Sequence, residues 1–335
     1  MTHTVELLAL DGRDPLGFLA SLGVTRLLHD EANLDVELSY DETSARALLH
    51  GPLTTVDAVV DALVEVVDAI AADGVLPRVP ATFPLPRVGA TPDPMRMPRD
   101  QVSSRVHAMT NRHRAPALNN WLAVLVTDLA SDIQGRAALT PYTAPAGRQS
   151  LRSFFNKPLD EVRKAPALLI RQALTRWRRV NGCTGEYLDH RVLSSAADHP
   201  SGHSTDAGVP GATWLATMSL PLLRLTGTGK LPQATLWHHL AGHRQPVMSW
   251  PLWRQPLNLH AIATLLEHPD LRPHTNSRND ILIDPAAWPA LGVFTAAAAV
   301  RQPAEGRRSK GILTPIAIVA ASRRPGSPAG RYSGR

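Results

Sequence analysis

The sequence predicts a mixed α+β protein, an α/β mixture in which helices pack on short mixed sheets in two lobes. Three observations predict it. The chain opens as a short strand, a polar turn and a helix. Short alternating or apolar runs at 35–40, 247–253, 291–301 and 311–319 are interleaved with helical stripes at 55–72, 121–132 and 165–180. A proline-rich basic stretch, 76–115, separates an N-terminal unit at 1–75 from a main lobe at 116–322, and the chain ends in a basic tail at 323–335.

In the opening, Asp14 is placed to cap a helix beginning at Pro15, where the missing N–H costs nothing and the fixed φ suits the helix. Leu16, Leu19, Ala20, Gly23, Val24 and Leu27 recur at i, i+3, i+4 and i+7 as one apolar stripe. Gly17 and Gly23 each cost a helix roughly 1 kcal/mol against alanine. Two of them in one helix predict that a neighbouring backbone comes close, and that this helix is the central packing element.

Residues 35–40 alternate as a strand, 41–50 read as a short helix stopped by Gly51 and Pro52, and Thr54 or Thr55 caps an amphipathic helix to about Ala72. Prolines at 77, 80, 84, 86, 92, 94 and 98 then forbid a regular helix. Arg78, Arg87, Arg96 and Arg99 punctuate that stretch, and His107, Arg112 and His113 continue it. A long basic loop of this kind is either functional or without fixed structure.

Asn119 or Asn120 is the expected cap of a helix over 121–132, followed by an extended 139–144 and a glycine-containing turn that opens into a helix by 157. Free N–H groups at such a helix start suit an anion, and Arg148 and Arg152 stand one helical turn apart beside it. Lys157, Arg163 and Lys164 follow, and the helix predicted over 165–180 carries Arg171, Arg176, Arg178 and Arg179. The plainer alternative is that these arginines solvate a helix face and its C-terminal end, where cations suit the dipole. No phosphate-loop motif G-x-x-x-x-G-K-[ST] occurs, which argues against an ATPase.

Chemistry is best sought at 186–206, where Glu186, Asp189, His190, Asp198, His199, His203 and Asp206 cluster. Such carboxylates and imidazoles are what a metal-dependent nuclease needs to hold a divalent ion and activate water. The spacing matches no H-E-x-x-H pattern, and a polar loop of this composition also bonds readily to its own backbone. Cys183 with His190 or His199 is a conceivable thiol pair, against which stands the inertness of a lone cysteine in apolar surroundings.

Further on, 209–220 reads as a buried helix and 247–253 as extended, with 257–266 a helix capped by Asn258. His238, His239 and His243 surround Trp237; His239 and His243 on one helix face would suit a metal, but surface or core-edge histidines are the safer reading. Residues 291–301 and 311–319 read as paired elements around a basic loop holding Arg307, Arg308 and Lys310.

Net charge is +6, and only Lys157, Lys164, Lys230 and Lys310 are lysines, so the positive charge is nearly all arginine, the better residue for bidentate phosphate contacts. A single cysteine excludes an intramolecular disulfide and a cysteine-rich zinc site. No signal peptide and no run of 18 apolar residues is seen, which leads to the expectation of a cytoplasmic protein.

The opening stretch Asp11-Gly-Arg-Asp-Pro-Leu-Gly-Phe-Leu-Ala-Ser-Leu-Gly-Val-Thr-Arg-Leu27 resembles the P-L-x-x-[YF]-L-x-[AS]-L-G-[VL]-x-R-L start of subtype-specific CRISPR-associated proteins of type I-G systems, formerly I-U. Trp250-Pro-Leu-Trp-Arg-Gln-Pro-Leu-Asn-Leu-His-Ala-Ile-Ala-Thr-Leu-Leu266 is similar to the L-P-L-W-x-R-P-x-x-L-x-E-L-x-x-L-L stretch of large-subunit-like members. The two segments cover about a tenth of the chain, which is shorter than those large subunits, as a companion protein would be. The resemblance implies a prokaryotic antiviral defence complex, with crRNA or target DNA and other CRISPR-associated subunits as partners.

Charge and resemblance together lead to the expectation of a non-catalytic nucleic-acid-binding component with no cofactor and no membrane contact. Its phosphate contacts are expected from Arg148, Arg152, Lys157, Arg163, Arg171, Arg178 and Arg179, with Arg307, Arg308 and Lys310 second. The alternatives are a metal-dependent nuclease using Glu186, Asp189, His190, Asp198 and His199, and a scaffold that meets acidic protein partners.

Overall fold

The computed structural model describes residues 2–89, 93–113, 116–132, 134–143, 149–192, 206–302 and 311–320. Strand β1 (His3–Asp11) leads through a polar turn into α1 (Pro15–Asp30). The Asp14 carboxylate accepts from the N–H groups of Leu16 (2.9 Å) and Gly17 (3.2 Å), with Pro15 in the first turn as its fixed φ favours. Every residue of α1 from Pro15 to Leu28 is buried, so this helix is core on all sides rather than on one stripe.

Strands β2 (Glu37–Tyr40) and β3 (Arg46–Gly51) complete an antiparallel sheet of order β1-β3-β2. The helix expected at 41–50 is not formed. Asp41 closes a turn by accepting from the N–H groups of Thr43 and Ser44, Ala45 takes a φ of 58°, and the following residues become the central strand, paired on both edges. Pairing on two sides outweighs a local helical preference.

Helix α2 (Val56–Ala69), capped by Thr55, lays Val59, Val60, Leu63, Val66 and Val67 into the core. The proline-rich stretch that follows has little regular structure, yet Leu76, Val79, Phe83, Met95 and Met97 join the same buried cluster. Helices α3 (Val102–His113) and α4 (Pro116–Leu125) come next. Here the helix expected over 121–132 ends at Leu125, and β4 (Val126–Ser131) takes over because Val126 and Thr127 pair with β5 (Ala137–Leu139). Asn119 and Asn120 lie inside α4 and do not cap it.

Helix α5 (Leu151–Lys164) starts from a Ser150 capping box with Ser153, and α6 (Pro166–Thr175) stops at Thr175, short of the expected 180. Pairs β6 (Val180–Asn181) with β7 (Ala207–Gly208), and β8 (Leu225–Gly227) with β9 (Pro232–Ala234), flank the buried α7 (Pro210–Met218). Strands β10 (Trp237–His238), β11 (Val247–Trp253), β14 (Val293–Gln302) and β15 (Ile312–Ile316) form a four-stranded antiparallel sheet. Helix α8 (Leu259–Leu266), capped by Asn258, follows β11, and β12 (His274–Thr275), β13 (Ile281–Ile283) and β16 (Val319–Ala320) make a small third sheet.

The fold is therefore α+β. Its two larger sheets are joined through aromatic residues: Phe18, Tyr40, Trp250 and Trp253 pack with ring centroids 5.1–6.4 Å apart. Trp250 Nε1 donates to the Gly12 carbonyl and Trp253 Nε1 to that of Leu38, both at 2.7 Å. Buried tryptophan keeps its apolar area in the core this way while its N–H stays satisfied. One hydrophobic cluster runs from Val5 to Leu313.

Candidate nucleic-acid interface

Five of the ten predicted basic residues have structural partners. Arg152 donates to the carbonyls of Asp73 (2.6 Å), Ala81 (2.8 Å) and Pro84 (3.1 Å), tying α5 to the proline-rich stretch. Arg163 donates to the carbonyls of Ile70, Ala71 and Ala72, at the cap of α2 and in the turn that follows it. Arg171 pairs with Asp57, and Arg179 holds Asp189 (2.9 Å) and the Ala207 carbonyl (2.6 Å). Lys157 Nζ stands 3.8 Å from Glu186. Arg178, in the extended chain after α6, is exposed with no side-chain hydrogen bond or ion pair among the described residues. Arg148, Arg307, Arg308 and Lys310 lie outside the described residues.

Asp189 and His190 lie beside Asp14, the cap of α1, while Glu186 sits with Thr184, Gln149 and Lys157. Glu186 and Asp189 are 2% and 1% exposed, and each already has its neighbours. Glu186 accepts from Thr184 (2.8 Å) and from the Gln149 amide, while Asp189 takes the Arg179 guanidinium. Asp14 Oδ2 receives Arg191 at 2.9 Å with His190 Nδ1 at 3.6 Å, and the Arg191 guanidinium lies 5.1 Å from the Trp177 ring centroid. Burial raises the carboxyl of Glu186, which Lys157, Thr184 and Gln149 only partly oppose; burial likewise raises Asp14 against the pull of Arg191 and His190. Glu186 and Tyr187 take φ values of 46° and 65°, which side-chain-bearing residues rarely adopt.

Among the described residues no group of three or more His, Cys, Asp or Glu is placed to hold a metal ion. Asp198 and His199 lie outside them. Burial pushes the Cys183 thiol up to about 11, so it is protonated at neutral pH and a poor nucleophile.

A further assembly of polar groups lies elsewhere. A groove runs along β9, β10 and the C-terminal end of α8, in two hollows of about 380 and 700 Å³ that share Arg224, Glu267 and His268. The smaller hollow is lined by Trp237, His238, His239, Ser249 and Arg272, the larger by Asn120, Pro221 and Thr264. Glu267 is the one carboxylate among the residues lining either hollow, and it is occupied by Arg224 Nε (2.8 Å) and Thr235 Oγ1 (2.9 Å). Arg272 is exposed, with no side-chain hydrogen bond or ion pair among the described residues.

Burial, with Arg272 and His239 nearby, holds His238 down at about 4, so it is neutral at physiological pH and offers one donor and one acceptor. The histidines around Trp237 mark this place in the sequence. Arg224 and Arg272 lie 13 and 35 residues to either side of it, so no local spacing announces them. His238 belongs to a strand and His243 to the turn after it, where its Nε2–H donates to the Asn279 carbonyl at 2.9 Å, so no helix face carries His239 and His243 together. No family model matches this chain, and no curated protein does either.

Proposed function

We propose that this protein binds nucleic acid without cutting it, with the groove at Arg224, Trp237 and Arg272 as the principal contact. The observation that carries the reading is the balance of charge there: of the two guanidinium groups that line the groove, Arg224 is paired with Glu267, the one lining carboxylate, and Arg272 has no carboxylate partner among the described residues. Guanidinium groups contact phosphate in a bidentate way, and release of counterions from the strand makes such binding salt-dependent. Glu186 and Asp189, sealed and paired, support binding over hydrolysis.

The resemblance of the opening and of the Trp250 stretch to type I-G CRISPR-associated proteins supports a role in an RNA-guided prokaryotic defence assembly, with crRNA or target DNA as the strand. The two segments that carry the resemblance are packed against each other, through Trp250 on Gly12 and on Phe18.

Fluorescence anisotropy with labelled single-stranded RNA, single-stranded DNA and duplex DNA across a salt series tests this reading. Arg224→Ala with Arg272→Ala is expected to weaken binding to every sequence alike and to lower the log–log salt slope by about 1–2. A wild-type protein that binds none of the three at low salt, or a double variant with unchanged affinity and slope, overturns it.

A further inference from the structure

The smaller hollow has a chemistry of its own. Two residues of its wall carry polar atoms that are sealed from solvent and have no partner: Trp237 Nε1 and Ser249 Oγ. Trp237 is 7% exposed and Ser249 3%, and an unmet buried donor costs about 1–3 kcal/mol. Both stand on the four-stranded sheet, Trp237 on β10 and Ser249 on β11, and Ser249 N–H donates to the Leu236 carbonyl at 2.9 Å. The rigid sheet fixes their positions. Arg301 braces Trp237 from behind, its guanidinium 5.8 Å from the ring centroid and donating to the carbonyls of Pro141 and Tyr142.

Opposite them the wall supplies Arg272 after the single turn Pro269–Leu271, and Arg224 at the entrance to β8. Residues that carry hydrogen-bond donors thus line the hollow from four separate points of the chain, and its one carboxylate is spent on Arg224 and Thr235. A neutral sugar or a base edge asks for a mixture of donors and acceptors. The wall has acceptors too, on neutral His238 and on Gln233, but the Arg272 charge is met by no carboxylate among the described residues, and an oxyanion is the ligand that draws on it.

We infer that this hollow holds a phosphoryl group of the strand bound in the groove, an inference that rests on the nucleic-acid reading above. Arg272 supplies the charge, and Trp237 Nε1–H and Ser249 Oγ–H supply fixed neutral donors. The group is either a terminal phosphomonoester or an internal phosphodiester.

Two measurements on the full chain separate the possibilities. Thermal unfolding with inorganic phosphate, against chloride at equal ionic strength, is expected to raise Tm in the wild type, and Arg272→Gln or Ser249→Ala is expected to abolish the rise. Arg272 is exposed, so its variant tests the site without a change in the core. Anisotropy then compares one single strand with a 5′-phosphate, a 3′-phosphate, hydroxyl ends and a closed circle. A roughly tenfold preference for one phosphorylated end, lost in Arg272→Gln, identifies the monoester. Equal affinity for all four, weakened alike by both variants, identifies the diester. If the wild type binds strands but neither variant changes their affinity or the phosphate-dependent Tm, the inference falls and the nucleic-acid reading stands. If no strand binds, that reading has failed, and absence of a phosphate-dependent Tm rise then removes the hollow as well.

Discussion

Gly23 in α1 faces the backbone of Leu215 in α7 so closely that a Cβ at position 23 would lie far inside van der Waals distance of the Leu215 carbonyl oxygen. The two helices make the most extensive helix pair among the described residues, and each is buried along nearly its whole length. Gly23→Ala therefore forces backbone from backbone, with no flexible side chain to yield. Overpacking of this kind costs about 1–3 kcal/mol and sometimes more, against which the helix propensity gain of about 1 kcal/mol is small. Urea unfolding is expected to show a lowered midpoint, and an unchanged or raised midpoint contradicts the close approach.

The bond from Trp250 Nε1 to the Gly12 carbonyl joins β11 to the turn before α1. Trp250→Phe keeps most of the apolar contact with Phe18 but leaves the carbonyl unmet in the core. A loss of about 1–3 kcal/mol is expected from the orphaned acceptor and the smaller ring. Trp253→Phe leaves the Leu38 carbonyl its second donor, the Leu257 N–H at 3.0 Å, so its loss is expected to be the smaller, and the two losses should not add, because both residues pack on Phe18. Chemical denaturation of the two singles and the double checks this.

These contacts show what could be read beforehand and what could not. The cap at Asp14, the proline at position 15 and the two glycines of α1 are local signals, and a residue that suits only one backbone state reveals that state. The segment 41–50 misled because its fate was decided by strands on both sides of it, distant in sequence. The arginines misled differently. Arg152 and Arg163 have the composition of a phosphate site, but their partners are carbonyl groups some 70 to 90 residues away, and backbone acceptors leave no trace in a side-chain pattern. Conversely Trp237, Ser249, Arg224 and Arg272 come together only when β11 lies beside β10 and α8 folds back over them.

That contrast yields a prediction. Arg152→Ala removes donors from three carbonyls and Arg163→Ala exposes the end of α2, so each is expected to lower stability by about 1–3 kcal/mol. Their salt-dependent affinity for nucleic acid, measured well below the melting temperature, is expected to stay within about twofold of wild type. Arg272→Ala reverses the pattern, with stability kept and affinity reduced. Paired melting curves and anisotropy titrations decide. A large affinity loss in Arg152→Ala without loss of stability would return the binding surface to α5.

The buried carboxyl of Glu186 gives stability a pH dependence of definite sign. Burial raises it above the ordinary glutamate range, so the folded state keeps a proton that the unfolded chain has released. Its contribution is most favourable below the unfolded value, and stability falls as pH rises from the ordinary range through the raised one, after which the loss is constant. Asp14, raised chiefly by burial, acts in the same direction. Glu186→Gln removes one of the two. The new amide still accepts from Thr184, and it donates to Gln149 Oε1, which has no partner now, once the Gln149 amide turns over. Lys157 loses only a distant ion pair, 3.8 Å long and exposed at its lysine end. Glu186→Gln is therefore expected to match or exceed wild type above the window, with a gain over wild type that grows as pH rises from the ordinary glutamate range through the raised one and then levels. Urea midpoints taken across that range test the sign: a variant whose deficit grows with pH would mean that the ionised carboxylate, not the neutral acid, is the form this cluster was built around.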